Sequence, residues 1–159
     1  MEENEVRHLL DECNRIYGDC LYTSQTHFVM ARKAQIIARC LIIIPSGLAV
    51  MLSLISAFAE VGELSIIAAF MAGIAGLSST LGITRDEQEH NNAANVLTAL
   101  RHEAKSMKDA MWKEIDRSQL HSEVSRLGDK YRVLCTALPV TDDKSYKKAK
   151  TRIEEGNFD

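Results

Sequence analysis

The chain has 159 residues, of which 46% are hydrophobic and 26% charged, and its formal net charge is -3. This length allows one membrane or globular unit but no second large domain, and the small net charge argues against bulk nucleic-acid binding. The mean hydropathy of -0.12 is typical of a soluble protein, but it averages charged arms with two charge-free apolar stretches.

Residues 1–39 indicate an amphipathic helix. Apolar and small side chains recur there mostly at steps of three and four, the period of one helix face: Val6, Leu9, Cys13, Ile16, Cys20, His27, Ala31 and Ala34. Because no proline interrupts this arm, we expect the helix to continue without a break into the apolar stretch that follows.

Two apolar stretches without any charge, Cys40–Ala59 and Leu64–Thr84, lie four residues apart and hold 20 and 21 residues. At about 1.5 Å of rise per residue, a helix of that length crosses the roughly 30 Å hydrocarbon core of a bilayer. The sequence therefore predicts a transmembrane hairpin over residues 40–84. A buried soluble hairpin is the alternative, but a chain of this size rarely covers two such helices on all sides.

Basic residues near the ends of the apolar stretches set the orientation. They lie only on the outer flanks of the hairpin: Arg32, Lys33, Arg39 and Arg85. The connecting loop holds Glu60 and Glu63 and no base. Positively charged flanks stay on the cytoplasmic side, so we expect both termini in the cytoplasm.

The first apolar stretch carries one small, hydroxylated helix face, formed by Ser46, Ala49, Ser53, Ser56 and Glu60. We interpret this face as a candidate pore lining that ends in a cation-favouring carboxylate, and ordinary tolerated serines are the alternative. Two helices cannot enclose a pore, so this interpretation requires a homo-oligomer. Pro45 lies one turn inside the same stretch and is either a hinge or a tolerated irregularity.

The second apolar stretch has small residues at helical spacing, namely Ala69, Ala72, Gly73, Gly76 and Ser79. Such a stripe lets helix backbones approach closely in lipid, so we predict helix packing here, within the hairpin or between subunits. A face with Ser65, Ala72, Gly76 and Ser79 is the rival pore lining.

Residues 85–159 indicate cytosolic helices and no strand. A heptad-like stripe runs from Ala93 through Leu97 and Leu100 to Ile115, and a second helix follows until Leu138-Pro139. Thr141 or Asp142 caps a last helix over about 143–155, which Gly156 closes. The predicted fold is an all-α, oligomeric membrane protein with a long N-terminal helix, a two-helix transmembrane hairpin and a C-terminal cytosolic helical bundle.

The last helix is rich in cations: Lys144, Lys147, Lys148, Lys150 and Arg152. Lys144, Lys148 and Arg152 stack at intervals of four residues, so the face they share could bind phosphates or an anionic membrane surface. A merely solvated face is the alternative.

No catalytic constellation is present in the sequence. The five histidines do not have the spacing of a zinc site, and no phosphate-binding glycine loop or nucleophile motif occurs. We therefore expect a protein that is not an enzyme and holds no metal or cofactor.

The order of these features resembles the SLATT family of bacterial two-transmembrane effector domains. The resemblance rests on Cys13-Asn14-Arg15-Ile16-Tyr17 before the hairpin, and on Leu138-Pro139-Val140-Thr141 and Tyr146 after it. It implies a pore-forming effector of antiphage defence in the bacterial inner membrane. It also implies a partner nucleotidyltransferase whose nucleotide or oligonucleotide product controls the pore.

Two functional hypotheses follow. In the first, a nucleotide ligand binds the cytosolic helices, with the five cations of the last helix as the assigned contacts, and shifts an oligomeric channel between two states. In the second, the protein is a non-conducting membrane scaffold that recruits a soluble partner through the Leu97–Ile115 stripe.

Overall fold

A computed structural model describes residues 2–59, 62–80 and 83–157, with the side chains of residues 4–57, 66–77 and 85–157. The regular secondary structure of these residues is helical, without a strand, which confirms the all-α prediction. The helices are α1 (Glu2–Ala59), α2 (Gly62–Thr80), α3 (Ile83–Asp109), α4 (Arg117–Ala137) and α5 (Asp143–Glu154), and a short 3₁₀ turn, Met111–Lys113, lies between α3 and α4.

The long N-terminal helix is continuous, as predicted. α1 has 58 residues and includes both the amphipathic arm and the first apolar stretch, with Pro45 inside it. The chain divides into two compact units, Met1–Met30 with His90–Asp159, and Ala31–Glu89. We refer to these as the polar unit and the apolar unit.

The polar unit has one apolar core to which α1, α3 and α4 all contribute. The stripes predicted for α1 and α3 supply buried residues there: Cys13, Ile16 and Cys20 from α1, and Leu97, Leu100, Ala104 and Met107 from α3. α4 adds Leu120, Val124 and Leu127. Apolar side chains removed from water contribute about 25 cal/mol per Å², so this core is the main stabilising element of the unit.

Helix caps define α4 and α5. Asp116 and Gln119 form a reciprocal capping box at the start of α4, with the Asp116 carboxylate accepting from the Gln119 backbone N–H at 2.8 Å. Asp142 caps α5 by accepting from the Ser145 backbone N–H at 2.7 Å. Gly156 follows α5 with φ of 73°, the left-handed conformation that favours glycine at a helix end.

The stripe on α3 ends earlier than its spacing predicts. α3 stops at Asp109, and Met111 is exposed, although Ile115 still packs against the core. The physical reason lies in Ala110, whose backbone is not helical, and in the capping box at Asp116, which fixes the start of α4 six residues later. The loop between the two helices uses Trp112 and Ile115 to cover the end of the core.

The apolar unit exposes large side chains. Ile66 and Phe70 of α2 are 73% and 72% exposed, whereas the buried residues include the small Ala49, Ala68 and Ala75. Within the described residues, one helix, the Asn4–Ala57 part of α1, is long and apolar enough to cross a membrane, and only 11% of its most apolar window is buried. α2 has a shorter apolar segment, Ile66–Leu77. These exposed apolar faces are suited to lipid or to further helices.

Candidate functional site

The predicted pore-lining face lies partly in a groove between α1 and α2. This open groove has a volume of about 650 Å³ and is lined mostly by small residues, which include Ala49, Ser53, Ser56, Ala68, Ala69 and Ala72. Ala49 is buried, Ser56 is half-buried and Ser53 is exposed. Part of the predicted face is therefore covered by α2 of the same chain, and Ser53 is the exposed hydroxyl of the groove's α1 wall.

Two neighbouring residues interrupt the regular hydrogen bonding of α1 near the start of the apolar stretch. Pro45 is buried and has no backbone N–H to donate. The hydroxyl of the half-buried Ser46 donates to the carbonyl oxygen of Ile42 at 2.6 Å, a bond that competes with the helix ladder and favours bending. The predicted hinge at Pro45 therefore has a second irregularity beside it. Glu60, the last residue of the predicted lining, lies outside the described residues.

The small stripe of α2 is used only in part within the chain. Ala69 and Ala72 line the groove, but the buried small residues of α2 are Ala68 and Ala75. A Cβ atom added at Gly73 or Gly76 would have nothing within 4 Å. Close packing against Gly73 and Gly76 thus remains a prediction for contacts between subunits. The side chain of Ser79 lies outside the described part of the chain.

A polar contact joins the outer flanks of the two apolar stretches. The Gln35 side-chain N–H donates to the Glu87 carboxylate at 2.9 Å, although the two residues are 52 positions apart. Gln35 lies five residues before the first stretch and Glu87 three residues after the second. Next to it, Arg85 donates to Glu89 at 2.7 Å. These contacts form a polar end of the apolar unit.

Four of the five predicted cations of α5 lie at exposed positions. Lys144, Lys147, Lys148 and Lys150 are exposed and Arg152 is half-buried. The opposite face buries Ser145 and Ala149. The ring of Tyr146 lies 6.3 Å from that of Tyr22 in α1, measured between centroids. α5 therefore contacts α1 through one face and exposes its lysines to solvent on the other.

A histidine pair inside the polar unit was not found by sequence reasoning. Nδ1 of His27 in α1 lies 2.9 Å from Nδ1 of His90 in α3, and His27 is fully buried. Burial, with a smaller contribution from His90, lowers the pKa of the His27 imidazole to about 4. Nε2 of His27 has no hydrogen-bond partner in the described part of the chain. The helical spacing placed His27 on the apolar stripe of the N-terminal arm, but nothing in the sequence pattern indicated a contact with a residue 63 positions away.

A groove in the polar unit lies between α3 and α4. It has a volume of about 970 Å³, and its apolar wall includes Val96, Ala99 and Val133. On the α4 side, the groove is lined by Ser122 and Ser125, which are three residues apart in the helix. Sequence reasoning missed this groove because Val96, Ala99 and Val133 lie outside the apolar stripe from Ala93 to Ile115 on which it relied.

The fold and its exposed apolar faces define a helical protein with a membrane-length apolar helix. Comparison with known families shows which one: the chain matches SMODS and SLOG-associating two-transmembrane (2TM) effector domain family 4, abbreviated SLATT, over residues 9–157. The chain therefore belongs to this family and is a membrane effector domain of conflict systems. Family membership also confirms the resemblance noted in the sequence. No curated protein and no solved structure matches the chain.

Proposed function

We propose that the protein forms a homo-oligomeric pore in the bacterial inner membrane, with both termini in the cytoplasm. In this proposal a nucleotide or oligonucleotide from a partner nucleotidyltransferase controls the pore. Membership of the effector family supports the role in defence. The observation that carries the pore is the groove between α1 and α2, where Ser53 is exposed among mostly small, apolar lining residues.

The Gln35–Glu87 hydrogen bond supports a hairpin in which both apolar stretches cross the membrane. In such a hairpin, the residues just before the first span and just after the second lie at the same membrane surface. A hydrogen bond of 2.9 Å between Gln35 and Glu87 agrees with that requirement. The hydrogen bond also gives the Gln35 amide and the Glu87 carboxylate a partner near the membrane surface, where a buried polar group without a partner costs free energy.

The oligomer follows from the number of spans. Two helices leave no enclosed channel, so several copies must contribute lining helices. The surface at Gly73 and Gly76 is open, because a Cβ atom added at either position would have no neighbour within 4 Å. This space allows the close approach of a helix from another copy. The large exposed side chains, such as Ile66 and Phe70, then face lipid or that neighbouring copy.

Control of the pore requires two states of similar free energy. A ligand that binds one arrangement of the polar unit more tightly shifts the population toward it, by no more than its differential affinity. α1 extends from the polar unit into the apolar unit as one helix, and Pro45 with Ser46 is the position at which it bends most easily. Bending there is the proposed gating movement.

Planar-bilayer recordings of two variants test the pore lining. Ser53→Leu should lower the unitary conductance several-fold, because a large apolar side chain narrows the lining and favours dewetting. Glu60→Lys should shift the reversal potential from cation preference toward anion preference. Ile43→Leu is the matched control, since Ile43 is 63% exposed and is not among the residues of the groove.

The pore assignment is wrong if Ser53→Leu and Glu60→Lys both leave conductance and selectivity at the wild-type level. Equal losses in Ser53→Leu and in Ile43→Leu would instead indicate a general packing defect. Unchanged conductance in Pro45→Ala would exclude the hinge while leaving the lining intact.

The second candidate is a non-conducting scaffold, which the groove between α3 and α4 favours. The Leu97–Ile115 stripe itself is largely unavailable to a partner, because Leu97, Leu100 and Met107 are buried in the core of the polar unit. The groove of about 970 Å³ is the open surface on the same helices. Purified oligomers that pass no ions, with or without nucleotides, would favour this candidate.

A further inference from the structure

The α5 helix concentrates positive charge in a chain that is acidic overall. Residues 144–152 contain five of the 19 Lys and Arg residues and no Asp or Glu, whereas the net charge of the whole chain is -3. Asp143 and Glu154 lie at the two ends of α5, so five cations and two carboxylates give the helix a formal net charge of +3. A helix of net positive charge creates a local potential that attracts anions. α5 therefore gives an acidic chain a basic surface.

The lysines on the solvent face of α5 are not neutralised within the chain. Lys144, Lys147 and Lys148 form no ion pair with any described residue, and Lys150 pairs only weakly with Glu154 at 3.8 Å. Some exposed cations elsewhere are paired, namely Arg15 with Glu12 and Asp19, Arg85 with Glu89, and Lys130 with Glu103. Others, such as Lys105 and Lys113, have no ion pair within the described residues. What distinguishes α5 is that three such lysines lie at neighbouring positions of one short helix.

The helix is also held in place behind these lysines. Ser145 is 4% and Ala149 0% exposed on the opposite face, and Tyr146 contacts Tyr22 of α1. Lys144 and Lys148 lie four residues apart, about 6 Å along the helix axis, with Lys147 beside them. The cations are thus arranged in advance at a spacing of one helical turn, which lowers the entropic cost of binding a ligand with repeated charges.

We propose that α5 is the binding site for a ligand with at least two linked phosphates, held by Lys144, Lys147 and Lys148 on neighbouring helical positions. This inference rests on the nucleotide control proposed above and gives that control a site and a ligand class. A linear phosphodiester strand matches a row of point charges, and lysine binds phosphate as a point charge without fixed geometry. A single phosphate engages only part of the row and binds more weakly.

Fluorescence anisotropy tests the site with the full-length protein in nanodiscs of phosphatidylcholine. The probe is a labelled, short single-stranded oligothymidylate, and ATP, inorganic phosphate, a short poly-glutamate and vesicles of phosphatidylserine serve as competitors. We expect the triple variant Lys144→Gln, Lys147→Gln, Lys148→Gln to bind the strand about tenfold or more weakly. We also expect the slope of log K against log salt to shrink by about 2, at roughly 0.7 per phosphate contact with single strands.

A control variant removes the same charge elsewhere in the polar unit. Lys105→Gln, Lys113→Gln and Lys130→Gln change three exposed lysines outside α5 and should leave affinity and salt slope near the wild-type values. Equal losses in both triple variants, or no loss in the α5 variant, would overturn the proposal. Competition by poly-glutamate as strong as competition by the same strand without its label would overturn the phosphate assignment. Stronger competition by the phosphatidylserine vesicles would make the ligand a lipid surface.

Binding and conductance separate this inference from the proposed pore. Retained strand binding by a protein that conducts no ions would refute the pore and leave the α5 site standing. Nucleotide-controlled conductance that survives in the α5 triple variant would refute the site and leave the pore standing.

Discussion

The contact between Nδ1 of His27 and Nδ1 of His90 requires a hydrogen atom on one of the two nitrogens. Their Nδ1 atoms are 2.9 Å apart, so one nitrogen must donate and the other must accept. If both nitrogens carry protons, two N–H groups face each other and the bond is lost. Because His27 is fully buried, its charged form would also lack solvation.

We predict that the polar unit loses stability as the pH falls from about 6.5 to 4. The folded pKa of His27, about 4, lies below its ordinary value of 6.5 because of burial and, to a smaller extent, His90. The unfolded chain therefore takes up the proton first, so the contribution of His27 is complete above pH 6.5 and is lost on acidification. Its magnitude is on the order of 3 kcal/mol. Thermal unfolding of the detergent-solubilised protein at several pH values measures it.

Two substitutions separate this effect from general acid unfolding. His27→Gln should flatten the fall in Tm between pH 6.5 and 4, since the titrating group is gone. His8→Gln should keep the wild-type slope, because His8 is exposed. A slope that is the same in the wild type and both variants would contradict the assignment to His27.

At the scale of the helices, α5 is attached to the polar unit through few side chains. Its buried side chains are Ser145 and Ala149, and Tyr146 contacts Tyr22 of α1. The position of α5 therefore depends on these contacts, and a disruptive substitution at one of them should release the helix.

We predict that Ala149→Leu releases α5 from α1. Ala149 is fully buried, and a larger side chain in a packed interface costs roughly 1–3 kcal/mol. Trypsin should then cleave several-fold faster after the lysines and the arginine of α5, as measured by mass spectrometry of the fragments. Thr151→Leu is the matched control because Thr151 is exposed on the same helix. Equal cleavage of both variants and the wild type would contradict the proposed attachment.

Local signals in the sequence were sufficient for most helices. The three-to-four spacing of Cys13, Ile16 and Cys20 identified the buried face of α1, and Asp142 with Gly156 gave the ends of α5. These features depend on residues close together in the chain. The end of α3 at Asp109 could not be predicted from the stripe, because the turn at Ala110 depends on where α4 is capped.

The candidate site was less accessible to sequence reasoning for the same physical reason. A small face on the first apolar stretch is visible in the sequence, but which of its residues meet α2 depends on the pairing of two uniformly apolar helices. Ala49 is buried, whereas Ser53 of the same predicted lining is exposed. The His27–His90 pair likewise depends on the register between α1 and α3.

At the scale of the whole molecule, membrane topology gives a further prediction. Both termini should be cytoplasmic and the loop after α1 should face outward. A membrane-impermeant maleimide should therefore label the variant Val61→Cys in intact spheroplasts but not the wild-type protein. Exposed Cys135 of the polar unit should react only after permeabilisation. Labelling of Cys135 in intact spheroplasts would reverse the orientation.

We propose that this family member conducts ions as an oligomer. The most direct measurement is ion flux from liposomes that contain the purified full-length protein, with the oligomeric mass determined in the same lipid. We predict that a single defined oligomer conducts ions in at least one of two conditions, in the presence or in the absence of added oligonucleotide. We also expect the flux to differ between the two conditions, because the oligonucleotide occupies α5. A stable oligomer that passes no ions in either condition, including after nuclease treatment to remove a bound inhibitor, would contradict the claim.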